Sequence, residues 1–98
     1  MMRFEWDEEK NKTNIQKHGI DFADACEMFS LPLLTAVDDR QNYGEDRWIG
    51  IGMLRGRVVV AAFTERGEET VRIISVRKAL KHESERYEQV LRDQLGSG

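Results

Sequence analysis

Residues 58–63, VVVAAF, are apolar at every position. A strand buried on both faces reads this way, whereas a strand with one solvated face alternates. Such a strand needs a neighbour on each side. RWIGIGML (47–54) precedes it and TVRIISVRK (70–78) follows it. Arg55-Gly56 fits a two-residue hairpin turn, with Gly56 supplying positive φ; RGEE (66–69) is the next turn. That turn predicts a register in which Leu54 faces Arg57, Met53 faces Val58, Ile51 faces Val60, Ile49 faces Ala62 and Arg47 faces Thr64. Arg47, Thr64, Ser75 and Arg77 then share one face. Trp48, Gly50, Gly52, Val59, Ala61, Phe63 and Arg72 share the other, as does Val76 on strict alternation. Gly50 and Gly52 remove two side chains and permit close approach of a helix or ligand.

The flanking segments predict the rest. MRFEW (2–6) reads as a short first strand. Asp7 can cap a helix over 8–18, with Glu8 and Glu9 near its positive end, Lys17 and His18 near its negative end, and Gly19 as its stop. Ile15 is the only aliphatic residue of that helix, so it must lie on the domain rather than within it. Asp21 caps a second short helix with Phe22, Ala25, Cys26 and Phe29 on one face, ended by Pro32. LLTAVDDR (33–40) reads as a strand and QNYGED (41–46) as a loop. A last helix from Ala79 can turn Leu80, Tyr87, Val90 and Leu91 to the core. The expected order is β-α-α-β-β-β-β-α, an α+β domain over residues 1–95 with a mainly antiparallel sheet of four to five strands. Residues 96–98, GSG, read as a disordered tail.

Composition narrows the class. No apolar run approaches the roughly 20 residues that span a bilayer, so no membrane partner is expected. The N-terminus turns acidic within five residues, unlike a signal peptide. Cys26 is the only cysteine, which leaves no internal disulfide and no four-thiolate zinc site, and fits a reducing cytoplasm. Charge is uneven: residues 1–46 hold 5 Lys/Arg and 11 Asp/Glu, and residues 47–98 hold 10 and 7. The basic half could hold a phosphate locally, or the counts reflect ordinary surface charge.

No P-loop, dinucleotide fingerprint, HExxH or nucleophile elbow is present. His18 and His82 lack a neighbouring Cys or His at ligand spacing, so no metal and no cofactor is expected. His18 shares a helical stripe with Asn14 and Lys17. It reads either as a helix-end histidine or as a base beside an anion-binding ammonium. Arg47, two residues after Glu45, reads as a surface ion pair or as a phosphate clamp beside a carboxylate. Arg72 sits within the last strand and can snorkel to an edge or pair with an acid. Arg77, Lys78 and Lys81 precede or open a helix, where cations oppose the macrodipole. An anion must compensate them, either Glu83 or a phosphate. Glu83, Arg86 and Tyr87 follow at helical spacing and read as structural.

Three blocks in order, FEWDEEKNKTNIQKHGIDFADACEMF, GEDRWIGIG and VRIISVRKALKHESERYE, resemble the BrnT family, toxin ribonucleases of bacterial type II toxin–antitoxin systems. The matched positions are Trp6-Asp7, Asn14, Lys17-His18-Gly19, Glu45 and Arg47, Arg72 to Arg77, then Glu83 and Tyr87; Val76 stands where alanine is common. The resemblance implies a RelE-like fold and metal-independent RNA cleavage that inhibits translation. It also implies a BrnA-type antitoxin with a ribbon-helix-helix element, through which alone operator DNA would be met. On that reading Glu45 or His18 is the base, His18 the acid, and Arg47 and Arg77 the phosphate cations. Lys17, Arg72 and Lys78 would bind RNA, with Asn14, Ser75, Glu83 and Tyr87 in support. The predicted register sets Arg47 and Arg77 roughly 15 Å apart at ~3.3 Å per residue. A non-catalytic alternative has the chain serve as corepressor partner of a DNA-binding protein.

Overall fold

The computed structural model describes residues 2–40, 42 and 44–96; Met1, Gln41 and Tyr43, and the Ser97-Gly98 end of the expected tail, lie outside the described residues. The element order is β1 (Arg3–Trp6), α1 (Glu8–His18), α2 (Phe22–Ala25), a 3-10 helix (Cys26–Ser30), β2 (Leu33–Val37), β3 (Trp48–Leu54), β4 (Arg57–Arg66), β5 (Thr70–Lys78) and α3 (Lys81–Gly96). This is the expected α+β order, with five strands arranged β1-β5-β4-β3-β2. β1 runs parallel to β5 and the other pairs are antiparallel. Among the described residues no helix is long and apolar enough to cross a membrane.

β4 is central, and residues 59–64 are all buried. Arg55 and Gly56 both have positive φ, 50° and 83°, the two-residue turn whose twist matches the flanking strands. It sets Leu54 opposite Arg57, and the β3–β4 register follows as predicted from the turn to Ile49–Ala62. Gly50 and Gly52 admit side chains rather than a ligand. A Cβ on Gly52 would lie 2.9 Å from Leu33 Cδ1 and 3.3 Å from Met28 Cε. Phe29 meets the Phe63 ring edge-on at 5.2 Å, beside the same sheet face. Met28 is fully buried although it lies off the predicted helical stripe, because the helix tightens to 3-10 geometry after Ala25 and turns that side chain inward.

β5 departs from strict alternation. Ala62 pairs with Ser75 and Phe63 with Ile73, so Ile74 is an extra residue, a β-bulge. Val71, Ile73 and Val76 therefore all enter one core cluster, although 73 and 76 differ by an odd number. The bulge also corrects the face of Arg72, which pairs with Thr64 and so shares its side of the sheet with Ser75 and Arg77. Leu80 is a further correction. It precedes α3 and is 56% exposed, while Tyr87 is buried and gives its hydroxyl to the Pro32 carbonyl at 2.8 Å.

α1 docks through amides, not aliphatics. Asp7 Oδ1 accepts from the Glu9 and Lys10 N–H groups at its start, and Gly19 ends it at φ 69°. Its buried residues are Asn11 and Asn14, while Ile15 is 41% exposed. Asn11 bonds the Asp21 carboxylate and the Phe22 N–H. Asn14 donates to the Ile20 carbonyl at 2.9 Å and accepts from the Val76 N–H at 3.0 Å. β1 stops opposite Ile73, so β5 has no strand on that side from Ile74 on, and α1 takes the place. Asn14→Ala strands a buried carbonyl and a buried N–H, which is expected to cost about 2–4 kcal/mol. Calorimetry should then show Tm lower by more than about 10 °C; a Tm within about 2 °C of wild type would mean that water replaces both partners.

Candidate functional site

The αL turn at Gly19 and the Asn14 bonds fix the last turn of α1 beside the end of β5. Lys17, His18, Arg77, Lys78 and Leu80 there line an open cleft of about 550 Å³. A groove of about 320 Å³ adjoins it, lined by Glu9, Lys10, Thr13, Asn14, Lys17, His18, Ile74 and Ser75. Lys17 and His18 border both. The only apolar side chain of the larger cleft is Leu80; the others carry or can accept positive charge, so the cleft suits an anion.

Arg77 is held by Glu83. Its Nη1 and Nη2 donate to the two carboxylate oxygens at 2.7 and 2.9 Å, and Nη1 also reaches the Lys78 carbonyl at 3.2 Å. Glu83 accepts in addition from the Leu80 N–H at 2.8 Å, capping the start of α3 in the manner of a capping-box glutamate. The cations expected to oppose this helix dipole are thus met first from within the chain. The Arg77 guanidinium, with burial working against it, brings the Glu83 carboxyl down to about 2. Glu83 in turn raises Arg77, while the like charge of Arg40 pulls it down. Arg77 remains 39% exposed against 17% for Glu83, so the guanidinium keeps a face on the cleft.

Arg40 went unnoticed in the sequence, where DDR at 38–40 carries no spacing signal. Its Nε and Nη2 bond both oxygens of Asp38, at 2.8 and 2.9 Å. The Asp38 side chain is 1% exposed and that of Arg40 73%, so a buried carboxylate fixes an exposed guanidinium.

The remaining expected residues fall elsewhere. Glu45 and Arg47 do not border the cleft. They line a separate hollow with Val37, Asp38, Asp39, Asn42 and Asp46, and Glu45 lies 3.7 Å from Arg66. The register explains the separation. Arg77 pairs through Val60 to Ile51, four residues beyond Arg47, which is roughly 13 Å along the strands at ~3.3 Å per residue. Arg72 pairs with Glu5 at 2.7 Å across the β1–β5 edge and lies outside the cleft. Lys17 and Lys78 do line the cleft, and Ser75 lines the adjoining groove. Lys10 and Thr13 also line that groove, though the sequence reading passed over them; with Lys17 they form an i, i+3, i+7 stripe.

A small α+β chain that sets an imidazole and three further basic side chains around an open cleft, with one cation locked by a carboxylate, is a protein shaped to meet an anion. A sequence model of the family described as ribonuclease toxin, BrnT, of type II toxin-antitoxin system matches residues 6–83, and the chain belongs to that family. The matched span holds every residue of the cleft. The 1.1 Å crystal structure of the Brucella abortus ribonuclease toxin, BrnT, is similar over 83% of this chain and 100% of its own, at 36% identity and a TM-score of 0.64. Comparison with curated proteins gives no match. Membership in a toxin–antitoxin family implies an antitoxin partner.

The lowered Glu83 pKa has a sign. A depressed carboxyl stabilises the fold above its unfolded value, and that contribution is lost as pH falls from about 4.5 to about 2. Wild type should lose Tm over this window more steeply than Glu83→Gln, in which the titrating group is gone. Parallel curves in a pH-stepped melt would show that the Arg77–Glu83 pair contributes nothing to the fold.

Proposed function

We propose that this chain is a metal-independent endoribonuclease toxin that cuts RNA by attack of the 2′-OH, inhibits translation in the cytoplasm, and is neutralised by a BrnA-type antitoxin carrying a ribbon-helix-helix element. The observation that carries the reading is the convergence of Lys17, His18, Arg77 and Lys78 on one cleft in a member of a ribonuclease toxin family.

The chemistry follows from where charge develops. As O2′ bonds phosphorus, its proton passes to water, and the phosphorane gains negative charge on its equatorial oxygens. Preformed cations stabilise that charge without reorganisation. Arg77, oriented by Glu83, and the Lys17 ammonium both line the cleft and would supply that charge. The P–O5′ bond then breaks, and O5′ takes a proton from the His18 imidazolium. The products are a 2′,3′-cyclic phosphate and a 5′-OH. Glu45 and Arg47 receive no part in this step, because they line a different hollow.

An antitoxin that closes the cleft must bring acidic or phosphate-like groups to it. The acidic N-terminal half would in turn steer a basic segment of that partner. Operator DNA would be met through the antitoxin.

Purified protein should cleave RNA in EDTA and leave cyclic phosphate ends. Activity lost in EDTA and restored by magnesium would overturn the metal-independent step. His18→Ala should lower the rate at least about tenfold and Arg77→Ala about a hundredfold or more. Arg77→Lys should restore only part, since an ammonium lacks the planar fork. The His18 variant should keep its fold and its antitoxin binding. Full activity in either alanine variant would remove that residue from the mechanism.

A further inference from the structure

We infer that the groove beside the cleft, over the bulge at Ile74, is a subsite for the sugar-phosphate of the nucleotide next to the cut, and that it holds the strand without reading its base. The inference rests on the ribonuclease reading above and extends it from one phosphate to a length of single strand.

Continuity is the first ground. The groove and the cleft share Lys17 and His18, so a chain lying in one runs on into the other. Its origin in the fold is the second. β1 ends opposite Ile73, and the bulge at Ile74 follows at once. α1 fills the vacated edge with a narrow amide side chain, Asn14, and so leaves a trough between helix and strand. The third ground is the lining. Lys10 and Lys17 stand seven residues apart on α1, roughly 10 Å at 1.5 Å per residue. That is too far for one phosphate and suits neighbouring ones. Lys10 makes no ion pair among the described residues, and Thr13 between them offers a hydroxyl. Glu9, the one acid of the lining, has a cation of its own in Lys12 at 3.4 Å.

The same lining says what the groove does not do. Sequence is read on single strands by stacking on aromatic rings and by free amides or guanidinium groups on base edges. No Phe, Tyr, Trp or Arg side chain lines this groove, its one imidazole, His18, also borders the cleft and is the proton donor to O5′ there, and both ends of the Asn14 amide are engaged by backbone. What remains, the Lys10 and Lys17 ammoniums and the Thr13 and Ser75 hydroxyls over the aliphatic Ile74, binds phosphate and ribose.

The test measures binding, so it does not depend on catalysis. Fluorescein-labelled, non-cleavable 2′-O-methyl oligonucleotides of two and six residues, as U, A and C homopolymers, are titrated by anisotropy over a salt series. Wild type, Lys10→Ala and Arg57→Ala are compared; Arg57→Ala removes equal charge at the distant β3–β4 turn. Lys10→Ala should weaken the six-residue strands several-fold, equally for all three bases. Its log K against log salt slope should fall by about one relative to wild type. The two-residue strands should show a smaller loss. A Lys10→Ala profile that coincides with Arg57→Ala would overturn the subsite. A loss confined to one base would overturn sequence indifference. RNA binding unchanged but antitoxin affinity reduced would assign the groove to the antitoxin. If Lys10→Ala shows the expected loss yet wild type cuts no RNA, the subsite stands as a binding site and the ribonuclease reading fails.

Discussion

The placement of the α1 end beside β5 depends on one buried amide. Asn14 holds the carbonyl of Ile20, just past the αL turn, and the N–H of Val76, just past the bulge. The first bond fixes how α1 ends; the second fixes where that end lies along β5. Both bonds are buried, where an unmade partner is costly and a made one is rigid. α1 has almost no apolar face with which to dock, so these bonds do what a leucine stripe does elsewhere. A hydrogen bond specifies position more narrowly than an apolar contact, because direction and distance both matter. That suits a helix whose last turn sets Lys17 and His18 beside a strand end.

The Arg77–Glu83 pair solves a second problem. Basic residues at the start of a helix work against its dipole, and Arg77 and Lys78 lead straight into α3. Glu83 answers with one carboxylate in three bonds, two to the guanidinium and one to the Leu80 N–H. A single side chain thereby caps the helix and fixes the orientation of a cation that still faces solvent. Asp38 does the same for Arg40 from a more deeply buried position. In both cases the acid is the more buried partner and the base the more exposed. Each carboxylate is thereby compensated while its cation keeps a face to solvent.

Much of this was legible in the sequence. An unbroken apolar run identified β4, and Arg55-Gly56 fixed its register against β3, because the turn conformation and the period of two leave no freedom once the turn is placed. Asp7, Gly19 and Asp21 marked helix ends through bonds formed with residues only a few positions away. Lys17, His18, Arg77 and Lys78 could be named as candidates from helical spacing and from their unfavourable position before α3.

What the sequence by itself determined, then, is whatever rests on neighbours along the chain: elements, caps, the hairpin register and the list of charged candidates. Tertiary structure alone decided which candidates meet. The bulge at Ile74 carries no sequence mark, yet it turns Val71 and Ile73 to the core face that Val76 already shares, and sets Arg72 beside Thr64. The distance from Arg47 to Arg77 is set by register across three strands, and that sum of small offsets parts Glu45 and Arg47 from His18. Asn14 shows the reason most directly. Its spacing to Lys17 and His18 is read from the chain, but its partner Val76 lies 62 residues on, and only the closed sheet brings that N–H within reach.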